Sequence, residues 1–453
     1  MEGLQDEQLL NLGLAIVIDS GRERKMKRKR RERSISSDTN RVSEEKIVSL
    51  LEMRQLMLKK KKTGDGKGLH LIHSLLMAAT SLDENKLDSA IENLSKLYEN
   101  ISLNGDSVQR VAAYFAEGLV ARLLTPRSPF HAMIMKEPAP NDEFLAYMEF
   151  YKVSPYYQFA HFTANQAIME AFEKEEIDNE RVLHVVDLDV AYGFQWSSLM
   201  QSLSDKATTR NPVSLRITGF GKTLEELEET EARLVGFAKT FRNLIFEFRG
   251  LHRSYSDLKE ITKRKNETLV VNSVFYLNSL CNFSHISQTL KSINMLNPSL
   301  VVLVEQEGGR SPRAFISRFM EFLHYYAAMF DSLDDFLPLN SHQRLQIEKN
   351  HLGKEIKRLM DFDIEANSPK YERTETWKGR MESHGFSGRK LSSKSIIQAK
   401  LLLKVNSHYC PVQFGGENGG FTSFEREEGN AISLAWQDKC LITVSAWQCE
   451  GGR

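Results

Sequence analysis

Cysteine is scarce in this chain: Cys281, Cys410, Cys440 and Cys449 are the only four among 453 residues, and none stands in CxxC or Cys/His spacing. That usage argues against a disulfide scaffold or a structural zinc site and fits a reducing compartment. No apolar run approaches the roughly 20 residues that a membrane-spanning helix needs. The first residues, MEGLQDEQLLNLGLAIVIDSG, carry no basic stretch ahead of the apolar one, which Asn11 and Gly13 interrupt, so they do not read as a secretory signal. The Asn-x-Ser/Thr triplets at Asn93, Asn100, Asn266 and Asn282 are then chance matches rather than glycan sites. Net charge is lacking as well. Sixty Lys and Arg balance sixty Asp and Glu, which removes any global argument for nucleic acid or a membrane surface.

What charge imbalance exists is local. Residues 1–67 hold 17 Lys and Arg against 11 Asp and Glu, so the rest of the chain is six negative by difference. Nine of the twelve residues in RERKMKRKRRER are basic: Arg22, Arg24, Lys25, Lys27, Arg28, Lys29, Arg30, Arg31 and Arg33. With the serine-rich stretch that follows, they cannot bury enough apolar surface to fold alone. Residues 1–67 therefore read as a variable, largely disordered basic region whose cluster is a nuclear-localisation signal, extended by Lys59 to Lys62. Phosphorylation of Ser34, Ser36 or Ser37 would mask that charge.

The remaining length and a 41% hydrophobic content suffice for a sizeable core. Residues 68–124 are helical in texture, with Leu71, Leu75, Ala78, then Ile91, Leu94, Leu97, then Val111, Phe115 and Leu119 at helical spacing. Their heptads do not persist, so a helical bundle fits better than a zipper. A further helix ends before Pro155, and ANQAIMEAF leads into a first strand. From there the texture changes. The runs RVLHVVDLDV, VSLRITGF, NLIFEFRG, ETLVVNSVF and PSLVVLVEQE are separated mostly by amphipathic stretches, the pattern of a parallel sheet buried on both faces. After helices near 341–359 and 374–384, the runs IIQAKLLLKV, YCPVQF, AISLAWQ and CLITVSAW read as antiparallel strands completing the sheet. The expected fold is an α/β, Rossmann-like core (176–450) with an N-terminal α-helical cap and lead-in (68–175).

In such folds ligands sit beyond the carboxyl ends of the strands, which makes LHVVDLDVAYGFQW (183–196) the corner to question. A dinucleotide fingerprint needs GxGxxG there, yet only Gly193 is present, between Tyr192 and Phe194. The second strand ends Ile217-Thr218-Gly219-Phe220, without the carboxylate that would hold a ribose. GFGKT (219–223) lacks the first glycine of a phosphate loop, its place being taken by Arg216. Neither GxSxG nor HExxH occurs, so no catalytic residue, metal or cofactor is assigned. Asp187 and Asp189 are expected to cap backbone amides, with Trp196 packed in the core. Glu305 and Glu307 close the strand SLVVLVEQE, and each is expected to pair with an arginine such as Arg310, Arg313 or Arg318.

Taken in order, these segments resemble the GRAS family of plant transcriptional regulators, SCARECROW-like, from about Gly68 to Cys449. A first leucine-rich region is similar to GLHLIHSLLMAATSLDENKLDSAIENLSKLYENI, and the VHIID motif to Leu183-His184-Val185-Val186-Asp187 with Gln195 and Trp196 beyond it. LRITG (215–219) and a second leucine-rich region (224–251) follow. The PFYRE block is matched by LNPSLVVLVEQE, RFMEFLHYYAAMFDSL, Arg344 and Ile347-Glu348, with a looser acidic part that leaves the role of Glu372-Arg373 open. The SAW motif is matched by Trp377, by Trp436 in LAWQDK and by Trp447.

The resemblance implies a methyltransferase-like sheet and a helical cap. It also implies residence in the nucleus, dimers, and partnership with other GRAS proteins and transcription factors, with promoter DNA contacted by some members. No DELLA sequence is present, and the text around YGFQW is most similar to the symbiosis-related arm that holds nodulation-signalling proteins. The alternative is a methyltransferase-like enzyme or small-molecule receptor built on Asp189 to Trp196.

Overall fold

The computed structural model describes residues 36–59, 68–253, 258, 261–280, 282–308, 314–361, 371–409 and 420–451. They form two units: Met1–Val153 with Pro312–Ile364, and Ser154–Ser311 with Glu365–Arg453. The basic cluster 22–33 lies outside the described residues.

Among the described residues the regular elements of the first unit are all helices: α1 (Ser36–Lys59), α2 (Gly68–Asp83), α3 (Leu87–Asn100), α4 (Ser107–Leu123), α5 (Pro129–Ile134), α6 (Pro140–Val153), α11 (Phe315–Phe336), α12 (His342–Ile347) and α13 (Gly353–Asp361). The helices α12 and α13 are joined by a π-helical turn, Glu348–Leu352. In α3, Ala90, Ile91, Leu94, Leu97 and Tyr98 repeat with helical period and face inward. Asp106 caps α4, its side chain accepting from the Gln109 N–H at 2.8 Å.

The expectation for residues 1–67 needs correction here, because 36–59 form a helix. Ile47, Leu50, Leu51 and Met57 are buried, and Arg54 grips Glu117 of α4 through two nitrogens at 2.7 and 2.5 Å. The apolar spacing that anchors α1 was hidden among charged neighbours. Between α4 and the 312–364 insertion, aromatic edges meet, Phe115 with Phe319 at 5.4 Å and Tyr114 with Phe330 at 5.7 Å.

Beside them lies an ionic knot in which Arg110, Arg344 and Glu348 are buried and Asp334 is partly exposed. Arg110 donates to Glu348 at 2.9 Å, to Asp334 at 2.5 Å and to the Gly105 carbonyl at 2.8 Å, while Arg344 bonds both Glu348 oxygens at 2.9 Å. Burial pushes the Glu348 carboxyl upward, and the two guanidiniums oppose that.

The second unit opens on α7 (Pro155–Lys174) and holds a nine-stranded sheet: β1 (Val182–Asp187), β2 (Val213–Gly221), β3 (Leu244–His252), β4 (Thr268–Val274), β5 (Leu300–Gln306), β6 (Phe386–Arg389), β7 (Phe421–Arg426), β8 (Ala431–Trp436) and β9 (Lys439–Cys449). The strand order is β3-β2-β1-β4-β5-β9-β8-β7, with β6 paired to β9. The strands from β3 to β5 are parallel; β9, β8, β7 and β6 are antiparallel. Helices α8 (Phe194–Lys206), α9 (Leu224–Ala238), α10 (Phe283–Leu296), α14 (Thr374–Ser383) and α15 (Ser393–Tyr409) complete the unit.

The Rossmann-like sheet matches the sequence reading, but two of its details change. The run IIQAKLLLKV is helix, part of α15, not a strand: Ser395 and Ala399 are buried one turn apart while Lys394, Lys400 and Lys404 are exposed. A short apolar run cannot by itself distinguish buried strand from helix, and Gln, Ala, Lys and Leu favour helix. The boundaries change as well. The lead-in helix α7 packs against β4, β5 and β9 and belongs with the sheet, whereas residues 312–364, expected as part of the core, fold with the cap helices. Contacts that join segments two hundred residues apart leave no local trace.

Replacing Glu348 with Gln strips the knot of its central charge, leaving Arg344 without a carboxylate partner in the interior and Arg110 with Asp334 alone. The expected cost is about 3–5 kcal/mol. Urea unfolding of the two proteins measures it; a difference below ~1 kcal/mol contradicts the assigned role.

Candidate functional site

The chain reverses direction across the sheet between β1 and β4, the position where a doubly wound fold opens its ligand crevice. Here the buried polar side chains of that corner bond one another. Asp187 ends β1 and is buried; its Oδ2 accepts from the Trp196 indole N–H at 2.9 Å, and its Oδ1 accepts from the Asn272 amide at 3.1 Å. Asn272, on β4, also exchanges bonds with the Gln195 amide at 3.0 and 3.1 Å. Gln195 reaches in turn to Asn165 of α7 at 3.1 Å, and Asn165 bonds the Gln195 carbonyl and the Ser198 hydroxyl at 2.8 Å each. Asn165, Asp187, Gln195, Trp196 and Asn272 thus each have a side-chain partner in the protein.

Part of the loop backbone is committed in the same way. The Leu188 amide donates to Asn272 O, the Val190 amide to Phe220 O, the Gly193 amide to Val190 O and the Trp196 amide to Gly193 O. Thr230 of α9 bonds the Ala191 carbonyl at 2.9 Å. Gly193 takes φ 74°, and a Cβ there would come within 3.1 Å of Thr230 and Leu234, so a close-packed helix, not a phosphate, requires the glycine. Asp189 lies 2.5 Å from Arg253, whose guanidinium sits over the Tyr276 ring at 5.2 Å. Burial pushes the Asp187 carboxyl up to about 7, against the lowering effect of its Asn272 and Trp196 hydrogen bonds.

A second polar chain runs from the middle of β1. His184 Nδ1 lies 3.1 Å from Glu267, and its Nε2 lies 3.0 Å from the Thr218 hydroxyl. Arg216 joins Glu267 at 2.6 Å and Glu247 at 3.1 Å. Burial would raise the Glu267 carboxyl, but His184, the Arg264 amide and Arg216 together hold it below the usual carboxylate range. His184 and Arg216 are therefore ties between β1, β2, β3 and the lead into β4. Thr223 caps α9 by accepting from the Glu226 amide at 3.2 Å, which makes GFGKT a strand end and a helix cap.

The arginine pairing expected for the β5 carboxylates takes a different form. Glu305 accepts from the Leu277 amide at 2.7 Å. Glu307 pairs with Arg426 at 3.3 Å and accepts from the hydroxyls of Thr443, at 3.1 Å, and Thr374. Arg310 and Arg313 lie outside the described residues. Arg318 stands in the first unit, where burial, then neighbouring Arg122, lower it to about 10 against the pull of Asp83.

Glu372, left open by the sequence, forms a two-point pair with Arg380 at 2.7 and 2.8 Å. Trp447 is buried and donates to Ser445 at 2.9 Å, while Trp436 packs on Phe421 at 4.8 Å. A cavity of about 40 Å³ lies between Glu305, Glu307, Trp377 and Trp447.

Sequence reasoning found Asp187, Gln195 and Trp196 but missed Asn165 and Asn272. Asn272 had left a trace, as one polar residue inside the apolar run TLVVNSV; Asn165 had none. Because the folded Asp187 carboxyl titrates above its unfolded value, its contribution favours the native state at low pH and is lost as pH rises from about 4 through about 7. The Trp196 indole N–H resonance should titrate with a midpoint near 7 and lose that titration in Asp187→Asn; a midpoint below ~5 contradicts the buried-carboxyl reading.

Residues 71–448 match the GRAS domain family. The chain is similar to Protein SCARECROW 1 of Oryza sativa subsp. indica, 35% identical over 393 residues that cover 85% of this chain and 56% of that protein. It is also similar to DELLA protein RGL3 of Arabidopsis thaliana, 35% identical over 389 residues, 84% of this chain and 69% of that one. The crystal structure of SCL7 in Oryza sativa superposes with a TM-score of 0.67 at 27% identity, covering 83% of this chain and 99% of the other. The chain spans about 56% of the length of the SCARECROW relatives it matches. That family match covers most of the chain, which therefore belongs to the GRAS domain family.

Proposed function

We propose that this protein is a nuclear regulator of plant transcription that works by binding other proteins, without catalysing a reaction. The observation that carries the reading is the internal pairing of the switch point. The amides of Leu188, Val190, Gly193 and Trp196 are spent on backbone carbonyls, and the carboxylate that would meet a ligand is spent on Trp196 and Asn272. Opening that corner for a nucleotide-type ligand would break at least four buried bonds, each worth about 1 kcal/mol net and more if a partner is stranded. Family membership supports the regulatory reading.

The partner surface belongs to the helical unit, which carries exposed Leu69, Met77 and Leu87 on α2 and α3. Its occupants, on this reading, are other GRAS proteins and transcription factors, with promoter DNA reached through them and the basic cluster 22–33 directing nuclear entry. Among the described residues no helix is long and apolar enough to cross a membrane. The similarity of the YGFQW turn to the symbiosis-related arm makes root symbiosis the proposed setting.

Two measurements test the proposal. Calorimetry with S-adenosylmethionine should show no micromolar binding; such binding, lost in Asp187→Asn, would establish the methyltransferase-like alternative instead. In nuclei, proximity labelling by a Leu69→Asp, Met77→Asp, Leu87→Asp protein should lose most partners of the unaltered chain. An unchanged partner list removes the cap as the interface.

A further inference from the structure

Side chains on a strand alternate between faces, so Leu303, Glu305 and Glu307 share one side of the sheet. β9 pairs with β5 and sets Ser445 opposite Leu303 and Thr443 opposite Glu305 on that side. α14 adds Thr374, Trp377 and Lys378 to the lining, and the space enclosed is the cavity of about 40 Å³. It has room for roughly three water molecules or one compact ligand.

Two properties of the lining point to an occupant. The first is charge: Glu305, Glu307, Glu372, Glu382 and Glu427 line the cavity against one lysine, and the first three are buried. Arg380 answers Glu372, Arg426 answers Glu307, and Lys378 pairs with Glu427 at 2.5 Å, so carboxylates still outnumber cations around the wall. Glu305 accepts from the Leu277 amide through one oxygen, and a carboxylate offers about four acceptor positions. The second is Trp377. It is 4% exposed, yet its indole N–H meets no acceptor among the described residues, whereas Trp196 and Trp447 donate to Asp187 and Ser445 at 2.9 Å. Buried donors are nearly always paired, so an orphan in a cavity wall marks a place for an acceptor that the chain does not supply. Beside the lining, Tyr371, Glu427 and Glu428 take φ 52°, 51° and 56°, a conformation that side-chain-bearing residues hold mainly where a site imposes it.

We propose that this cavity binds a small amino alcohol, its protonated amine among the buried glutamates and its hydroxyl oxygen accepting from the Trp377 indole N–H. The surplus of carboxylates selects a cation and repels an anion. Among the described residues no group of His, Cys, Asp and Glu side chains is placed to hold a metal ion, so the cation is organic. A hydroxyl accepts from the indole and donates onward to a carboxylate, which a carbonyl oxygen cannot do. The site is built on β5, β9 and α14, apart from the Asp187 corner and from the helical unit, and it stands independently of the partner surface proposed above.

Titration of the full chain, isotope-labelled at tryptophan, with ethanolamine tests it by nuclear magnetic resonance. The Trp377 indole N–H signal, identified by its absence in Trp377→Phe, should shift saturably with a Kd between about 0.04 and 10 mM, the range open to so small a ligand. Ethylamine keeps the charge without the hydroxyl and should bind at least about fivefold more weakly. Ethylene glycol lacks the charge and should bind at least about tenfold more weakly. In Trp377→Phe, read through the Trp447 indole that also lines the cavity, ethanolamine and ethylamine should bind alike. Glu305→Gln, whose amide oxygen can still accept from Leu277, should weaken ethanolamine at least about tenfold. No saturable shift by ~50 mM means that the cavity holds water only and overturns the proposal. So does an ethanolamine preference that survives in Trp377→Phe, or full affinity in Glu305→Gln. Should a variant misfold by circular dichroism, the unaltered chain decides: binding that falls from ethanolamine to ethylamine to ethylene glycol supports the site, and equal binding of the three overturns it.

Discussion

Asp187 is the residue on which the sheet unit turns. It stands where the strand order reverses, it is buried, and it needs donors; Trp196 and Asn272 supply them from the following helix and the neighbouring strand. A carboxylate placed in a low-dielectric interior without such bonds would cost several kcal/mol. The demand is met by bringing α8, β4 and, through Gln195 and Asn165, α7 into one hydrogen-bonded corner.

The helical unit follows the same rule with stronger charges. Arg110 and Arg344 are fully buried and could not stand there alone; Glu348 answers both, held in place by a π-helical turn. Such a knot is a weak source of net stability but a strict selector of arrangement, because any shift strands a charge. It fastens α4, Ser107–Leu123, to a segment more than two hundred residues later. Arg54, Glu117 and Tyr98 repeat the device between α1, α3 and α4.

Much of this was legible before any coordinates. Pro155 ended one helix and began another because its ring fits only a first turn, and the parallel strands declared themselves through β-branched runs too apolar for a surface. The corner Asp187 to Trp196 was found because strand ends in doubly wound sheets are fixed by topology. Other features were not legible. The stretch 396–405 reads equally as strand or helix until Ser395 and Ala399 are seen packed on one side. Glu307 could have paired with any nearby arginine, and the antiparallel return of β9 and β8 decided for Arg426.

The sequence by itself determined the class of the fold and the identity of its corner residues, because hydrophobic period and strand-end chemistry are local properties of the chain. Only the tertiary structure decided which segments share a unit, which partner each buried charge takes, and how the polar side chains of the corner pair. Those outcomes depend on side chains far apart in sequence meeting at hydrogen-bond distance, as Asn165, Gln195 and Asn272 do, and no local pattern records such a meeting.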